Sequence, residues 1–126
     1  VPDLQVRTSG ARAVLPDVVQ RSDAVQQAIR AASLPVALQQ RPDLLLTATQ
    51  DLLHQRYRSE LMPESWNLMQ RLRSCGVAAT ISGAGPTVFA VGLPEQLAVA
   101  DTVEHAGFRR HTLEIGGGVA LQQLDG

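Results

Sequence analysis

The sequence has 126 residues, of which 44% are hydrophobic, 18% are charged and 3% are aromatic, and its formal net charge is −1. This length and composition predict one globular domain with a core of its own, and the small charge and few aromatic rings argue against a nucleic-acid or anionic-membrane surface. All eleven basic side chains are arginines, which excludes lysine-based chemistry within the chain.

The first part of the chain is predicted to be mainly helical after one short strand. Residues 4–8 alternate between apolar and polar and predict that strand. Residues 9–19 allow only a short helical turn, which should end before Pro16. Ser22-Asp23 marks the start of a longer helix, and Pro35 should end or kink it. The apolar stripe of this helix recurs at i, i+3, i+4 and i+7 and consists of Val25, Ala28, Ile29 and Ala32.

Three further helices are predicted to begin at prolines, because the fixed φ of proline suits a first turn. The helix from Pro42 should continue to about Arg58 and bury the stripe formed by Leu45, Ala48, Thr49, Leu52 and Leu53. The helix from Pro63 should end at Gly76, since glycine readily adopts the left-handed conformation that closes a helix. The helix from Pro94 should close at Gly107.

The strands are predicted in the second half of the chain. The β-branched runs 77–82 and 87–91 flank Gly83-Ala84-Gly85-Pro86 and predict a hairpin. Residues 109–115 and 119–124 predict two more strands, joined by a glycine turn. Helices and strands in this order predict an α+β two-layer sandwich, with helices on one face of a mainly antiparallel sheet.

The loop between the hairpin strands supports two interpretations. Its glycines allow another backbone or a phosphate to come close, but a tight turn needs glycines as well. The loop is neither a Walker P-loop nor a dinucleotide-binding fingerprint, since the residues that define those motifs are missing.

Three segments resemble the GHMP kinases, which phosphorylate galactose, homoserine, mevalonate and phosphomevalonate. Residues 82–90, SGAGPTVFA, are similar to the third, C-terminal motif of that family. Thr8-x-x-x-Arg12 with Leu15-Pro16, and residues 51–58, DLLHQRYR, resemble segments of its homoserine-phosphorylating branch. The resemblance implies a ferredoxin-like C-terminal domain over residues 1–126, and an N-terminal ATP-binding domain that is absent from this chain.

The resemblance also implies a binding site for L-homoserine formed by Thr8, Arg12, Arg58 and Gly83. Two arginines from separate segments could clamp the α-carboxylate, because each presents a planar fork of donors. The loop residues Ser82, Gly83, Ala84 and Gly85 would then lie near the phosphates. The alternative for each arginine is an ordinary surface side chain.

No catalytic or metal-ligating residue is expected in this chain. ATP and Mg²⁺ would be bound mainly by the absent N-terminal half, so we expect the chain alone to be inactive. His54 could act as a base oriented by Asp51, but a packing or surface histidine is the simpler interpretation. A mevalonate-type GHMP kinase, a non-catalytic amino-acid-binding module and a domain that docks on a partner through its helices remain alternatives.

The cellular location of the protein is predicted from its cysteine content and from the lengths of its apolar runs. A single cysteine, Cys75, cannot form an internal disulfide, which favours the cytoplasm. No apolar run is long enough to cross a membrane. The chain begins with Val1 rather than methionine, so we expect a piece of a longer protein, and a homodimer is left open.

Overall fold

The structure is a computed structural model, and it describes residues 1–3 and 6–118. Within these residues it contains six α-helices, one two-stranded sheet and two short 3₁₀ turns. The helices are α1 (Thr8–Ala13), α2 (Arg21–Gln39), α3 (Leu45–Ala48), α4 (Gln55–Arg58), α5 (Pro63–Ser74) and α6 (Pro94–Ala100). The strands are β1 (Ala78–Ile81) and β2 (Val88–Val91), and the 3₁₀ turns are Pro42–Leu44 and Ser59–Leu61.

The predicted hairpin is confirmed and forms the centre of the described chain. Strands β1 and β2 pair antiparallel, in a register that places Ala78 opposite Val91 and Ile81 opposite Val88. Successive side chains of a strand point to opposite faces, and three of the four residues of β1 are buried. Both faces of β1 are therefore covered.

Two hydrophobic clusters lie against the hairpin, and each covers a different face of β1. The larger contains Met62, Leu68, Met69, Leu72, Val77, Ala79, Ile81 and Val103, and the smaller contains Ala37, Leu45, Ala48 and Ala78. The α+β class is thus confirmed, but helices lie on both sides of the hairpin rather than on one. The small side chains of Ala37, Ala48 and Ala78 explain this, since they let α2 and α3 approach the strand closely.

Helix α2 turns its predicted apolar stripe away from this core. Its packed side carries Leu34 and Ala37, whereas Val25 and Ile29 are 50% and 61% exposed. Periodicity detects an apolar face but does not say what covers it. The helix also continues past Pro35 to Gln39 instead of ending there. Pro35 lies on the exposed side, where water can satisfy the carbonyl that loses its donor.

The single helix predicted from Pro42 is instead broken into separate turns. Helix α3 ends at Ala48, and the hydroxyl of Thr49 donates back to the carbonyl of Leu45 at 2.7 Å. The Asp51 carboxylate then accepts hydrogen bonds from the amides of Leu53 and His54, both at 2.7 Å. Local side-chain bonds of this kind compete with a continuous helix, and α4 begins afresh at Gln55.

The remaining helices agree with the prediction more closely. Helix α1 matches the short turn expected before Pro16, and α5 begins at Pro63. Gly76 follows α5 with φ +83°, the left-handed conformation expected there. Helix α6 begins at Pro94 but ends at Ala100, earlier than predicted, although Gly107 also has a positive φ.

The outer strands are not formed in the described residues. Residues 6–7 are irregular and Thr8 is already helical, while residues 4–5 and 119–126 lie outside the description. Residues 109–115 form no strand, and Leu113 and Ile115 are 83% and 92% exposed. Arg109 pairs through its backbone with Val1, but no described strand continues beyond Val1 for the next residues to join.

We predict that the two sides of α2 differ in their importance for stability. Leu34→Ala should lower the free energy of unfolding by about 1 to 3 kcal/mol, because Leu34 packs on the smaller cluster. Ile29→Ala should change it by less than about 0.5 kcal/mol, because that side chain is mostly in water. Urea unfolding of the 126-residue chain measures both variants, and equal losses would show that the stripe is packed.

Candidate functional site

The glycine loop that joins β1 to β2 is a tight turn with two glycines in the left-handed region. The amide of Gly85 donates to the carbonyl of Ser82 at 3.0 Å, and the amide of Ser82 donates to the carbonyl of Thr87 at 2.8 Å. Gly83 and Gly85 have φ values of +59° and +88°. Glycine populates this region without the strain that a side chain would bring.

The base of the loop is held from below by the start of α5. A Cβ atom at Gly85 would overlap the end of the Met62 side chain, and the φ of +88° independently favours glycine there. The buried hydroxyl of Ser65 donates to the carbonyl of Pro86 at 2.6 Å. Together, these contacts hold the base of the loop in a fixed position against the start of α5.

The top of the loop is open. A Cβ atom at Gly83 would meet nothing within 4 Å, and Ser82 and Gly83 are both exposed. The backbone amides of Gly83 and Ala84 find no acceptor among residues 1–3 and 6–118. Two neighbouring amide donors at an exposed turn are suited to bind an anion or a carbonyl oxygen.

Arg58 connects this loop to a distant part of the chain. From the end of α4, its Nε donates to the carbonyl of Ala11 at 2.8 Å and its Nη1 donates to the carbonyl of Gly83 at 3.3 Å. Arginine has five N–H donors, and Nη2 makes no hydrogen bond to the described residues. The outer side of the guanidinium is therefore available for a carboxylate, which it can bind in two parallel hydrogen bonds.

Thr8 and Arg12 lie one turn apart on α1 and are both exposed. Ala11, beside Arg12, is fully buried and supplies the carbonyl that Arg58 binds. The structure therefore brings Arg58 and Gly83 into contact and places Arg12 next to the residue on which Arg58 rests. Thr8 makes no hydrogen bond to the loop within the described residues.

His54 is paired with Asp51, as the spacing suggested. Nδ1 of His54 lies 3.1 Å from Oδ2 of Asp51, and 47% of the histidine side chain is exposed. The other oxygen of Asp51 accepts the two backbone amides described above. Asp51 therefore both closes the turn before α4 and orients the His54 ring.

Two polar residues that sequence reasoning did not assign to the site make hydrogen bonds to β1, the strand that leads into the loop. Gln55 is 9% exposed, and its amide donates to the hydroxyl of Thr80 on β1. Arg73 is half-buried and donates to the carbonyls of Leu46 and Ala79 and to the hydroxyl of Thr49. Burial lowers the pKa of Arg73, and the nearby charge of Arg30 lowers it further. The sequence could have indicated Gln55, because it lies three residues before Arg58 in the same segment and therefore on the same side of a helix.

Within the described residues, the structure contains no candidate metal-binding cluster and no helix suited to span a membrane. In residues 1–3 and 6–118, no three His, Cys, Asp or Glu side chains form a group that could hold a metal ion. None of the helices described there combines the length and apolarity needed to cross a bilayer.

The loop and Arg58 lie in a stretch of the chain that matches a known family. Residues 36–108 match the family described as "GHMP kinases C terminal". This range contains Arg58 and the whole glycine loop, whereas Thr8 and Arg12 lie before it.

Two curated proteins that are similar to the chain are homoserine kinases. The homoserine kinase of Cutibacterium acnes is 54% identical over 119 residues, which cover 94% of this chain and 40% of that protein. The homoserine kinase of Mycobacterium sp. (strain JLS) is 44% identical over 122 residues, covering 94% of this chain and 38% of that protein. The chain thus spans about two fifths of the length of these relatives.

A solved structure shows the same fold. The crystal structure of homoserine kinase from Cytophaga hutchinsonii superposes with a TM-score of 0.69 at 28% sequence identity. The match covers 81% of this chain and 33% of that one.

We predict that Ser65 stabilises the base of the loop. Ser65→Ala should lower the free energy of unfolding by about 1 to 3 kcal/mol, because it leaves the buried carbonyl of Pro86 without a donor. Ser74→Ala, on the exposed end of the same helix, is the matched control and should cost less than about 0.5 kcal/mol. Urea unfolding measures both, and a loss at Ser65 no larger than at Ser74 would contradict the assignment.

Proposed function

The chain belongs to the GHMP kinase family, and we propose that the longer protein of which it forms the C-terminal part is a homoserine kinase. That protein would transfer the γ-phosphoryl group of ATP to the side-chain hydroxyl of L-homoserine. The products are O-phosphohomoserine and ADP, and the hydroxyl proton is released. This step belongs to threonine biosynthesis. The names of the curated relatives support the substrate.

The contact of Arg58 with both Ala11 and Gly83 is the observation that supports the proposal most directly. It leaves the outer edge of the guanidinium available beside an exposed loop. Homoserine carries an α-carboxylate, which matches this edge in size and charge. We propose that Arg58 binds the carboxylate and that Arg12, one residue beyond Ala11, binds it from the side of α1.

The remaining site residues complete the acceptor side of the proposed reaction. The exposed hydroxyl of Thr8 would hydrogen-bond the amino-acid end of homoserine. The free amides of Gly83 and Ala84 would bind an oxygen of the substrate or of the transferred phosphoryl group. With its carboxylate fixed, homoserine presents its hydroxyl in a constant direction, and such positioning supplies much of the rate in phosphoryl transfer.

ATP is expected to bind mainly outside this chain. We propose that residues of the N-terminal part hold the triphosphate and Mg²⁺. The described residues do not fit a metal site, since they bring together no group of three metal-ligating side chains. We propose that the metal ligands and the catalytic base lie in the N-terminal part as well. The single cysteine supports a cytoplasmic setting, which we include in the proposal.

We predict that Arg58 acts on the acceptor and not on the nucleotide. In the full-length protein, Arg58→Ala should lower kcat/KM for homoserine about 100-fold, because a charge-assisted pair of hydrogen bonds is lost. The KM for ATP should stay within about twofold. Arg56→Ala is the matched control, since Arg56 lies on the same short helix and its side chain makes no hydrogen bond to the described loop.

The measurement is a coupled assay of ADP release with homoserine, mevalonate and galactose as acceptors. Absence of turnover with homoserine would refute the proposed substrate. Turnover with homoserine that is unaffected by Arg58→Ala would remove Arg58 from the site while leaving the activity in place.

A further inference from the structure

We propose that Gln55 is a positioning residue for Arg58, and that its hydrogen bond to Thr80 sets where the Arg58 guanidinium meets the glycine loop. The inference rests on the proposed function for its kinetic readout, but its structural basis is independent of the substrate. Gln55 touches neither Gly83 nor Ala11 through any described hydrogen bond, so it would act only through the helix that it shares with Arg58.

The basis is a pair of hydrogen bonds, here called tethers, that connect α4 to Thr80 within β1 and to Gly83 in the loop that follows β1. Gln55 donates to Thr80, and Arg58 donates to Gly83, so each tether spans 25 residues of sequence. The two donors lie three residues apart on one side of a helical turn, and the two acceptors are three residues apart along the chain. A shift of α4 that displaces one of these hydrogen bonds therefore displaces the other as well.

The inner tether is the stronger of the two. Gln55 is 9% exposed, and its hydrogen bond to Thr80 is part-buried. The bond from Arg58 to Gly83 is long, at 3.3 Å, and lies at an exposed position. A hydrogen bond out of contact with water is stronger and costs more to break than one at the surface. We therefore propose that the part-buried bond from Gln55 to Thr80 holds α4 in place and that the exposed bond from Arg58 to Gly83 follows its position.

Helix α4 needs such a tether because it is only four residues long. A single turn has little stability of its own, since helix formation is unfavourable until several turns have formed. Asp51 closes the turn before it, but the contacts of Asp51 are local and do not reach β1. Among the described hydrogen bonds of α4 side chains, the one from Gln55 reaches a strand of the sheet.

The test compares variants of the full-length protein that remove one end of the inner tether. Gln55→Leu removes the donor with little change in volume, and Thr80→Val removes the acceptor. Each should lower kcat/KM for homoserine about tenfold, because displacement of a binding group by a fraction of an ångström weakens positioning. The KM for ATP should not change. Ser59→Ala, an exposed hydroxyl at the end of α4, is the control.

Two further variants separate positioning from general destabilisation. The double variant Gln55→Leu with Thr80→Val should be no worse than either single variant, because both remove the same bond. Thr80→Ser keeps the hydroxyl and should restore the homoserine kinetics. Additive losses, equal effects on ATP and homoserine, or no rescue by serine would each overturn the proposal. If Gln55→Leu does not fold, Thr80→Val and Thr80→Ser carry the test.

A hydrogen-exchange measurement on the same protein, without substrate, distinguishes this proposal from the proposed function. The amides of Ser82 and Gly85, which are hydrogen-bonded within the loop, should exchange faster in Gln55→Leu and in Thr80→Val than in wild type or in Ser59→Ala. Unchanged exchange would overturn the tether even if the protein phosphorylates homoserine. Faster exchange would support the tether even if homoserine proves not to be the substrate.

Discussion

The candidate site depends on one guanidinium group that binds two main-chain oxygens from distant parts of the chain. Nε of Arg58 donates to Ala11 and Nη1 donates to Gly83, so three segments meet at one side chain. A planar fork can do this and still present an outer edge, whereas the ammonium of a lysine is a single point of charge. The same group therefore holds the site together and offers the charge that a carboxylate needs.

The glycine loop combines a fixed base with an open top. Below, Met62 occupies the space where a side chain at Gly85 would lie, and Ser65 satisfies the carbonyl of Pro86. Above, Gly83 has no neighbour within 4 Å of a would-be side chain. A loop with a fixed base can hold its amides in position for a ligand, so that little conformational entropy is lost on binding.

Sequence reasoning predicted those features that local chemistry determines. The starts of α5 and α6 follow from prolines, and the hairpin follows from two β-branched runs around a glycine turn. The contact between Arg58 and Gly83 was anticipated only through the family resemblance. The break after α3 and the exposed face of α2 were missed, because they depend on a carboxylate that competes for amides and on what packs against a helix. Gln55 was missed because its partner lies 25 residues away.

The oxygens that receive Arg58 belong to the peptide backbone. Every amino acid brings the same carbonyl, so replacing Ala11 by another small residue would leave that acceptor in place. The guanidinium has no such substitute among the other side chains. During divergence, Ala11 could therefore change to another small residue while Arg58 is kept for its side chain and Gly83 for its backbone conformation.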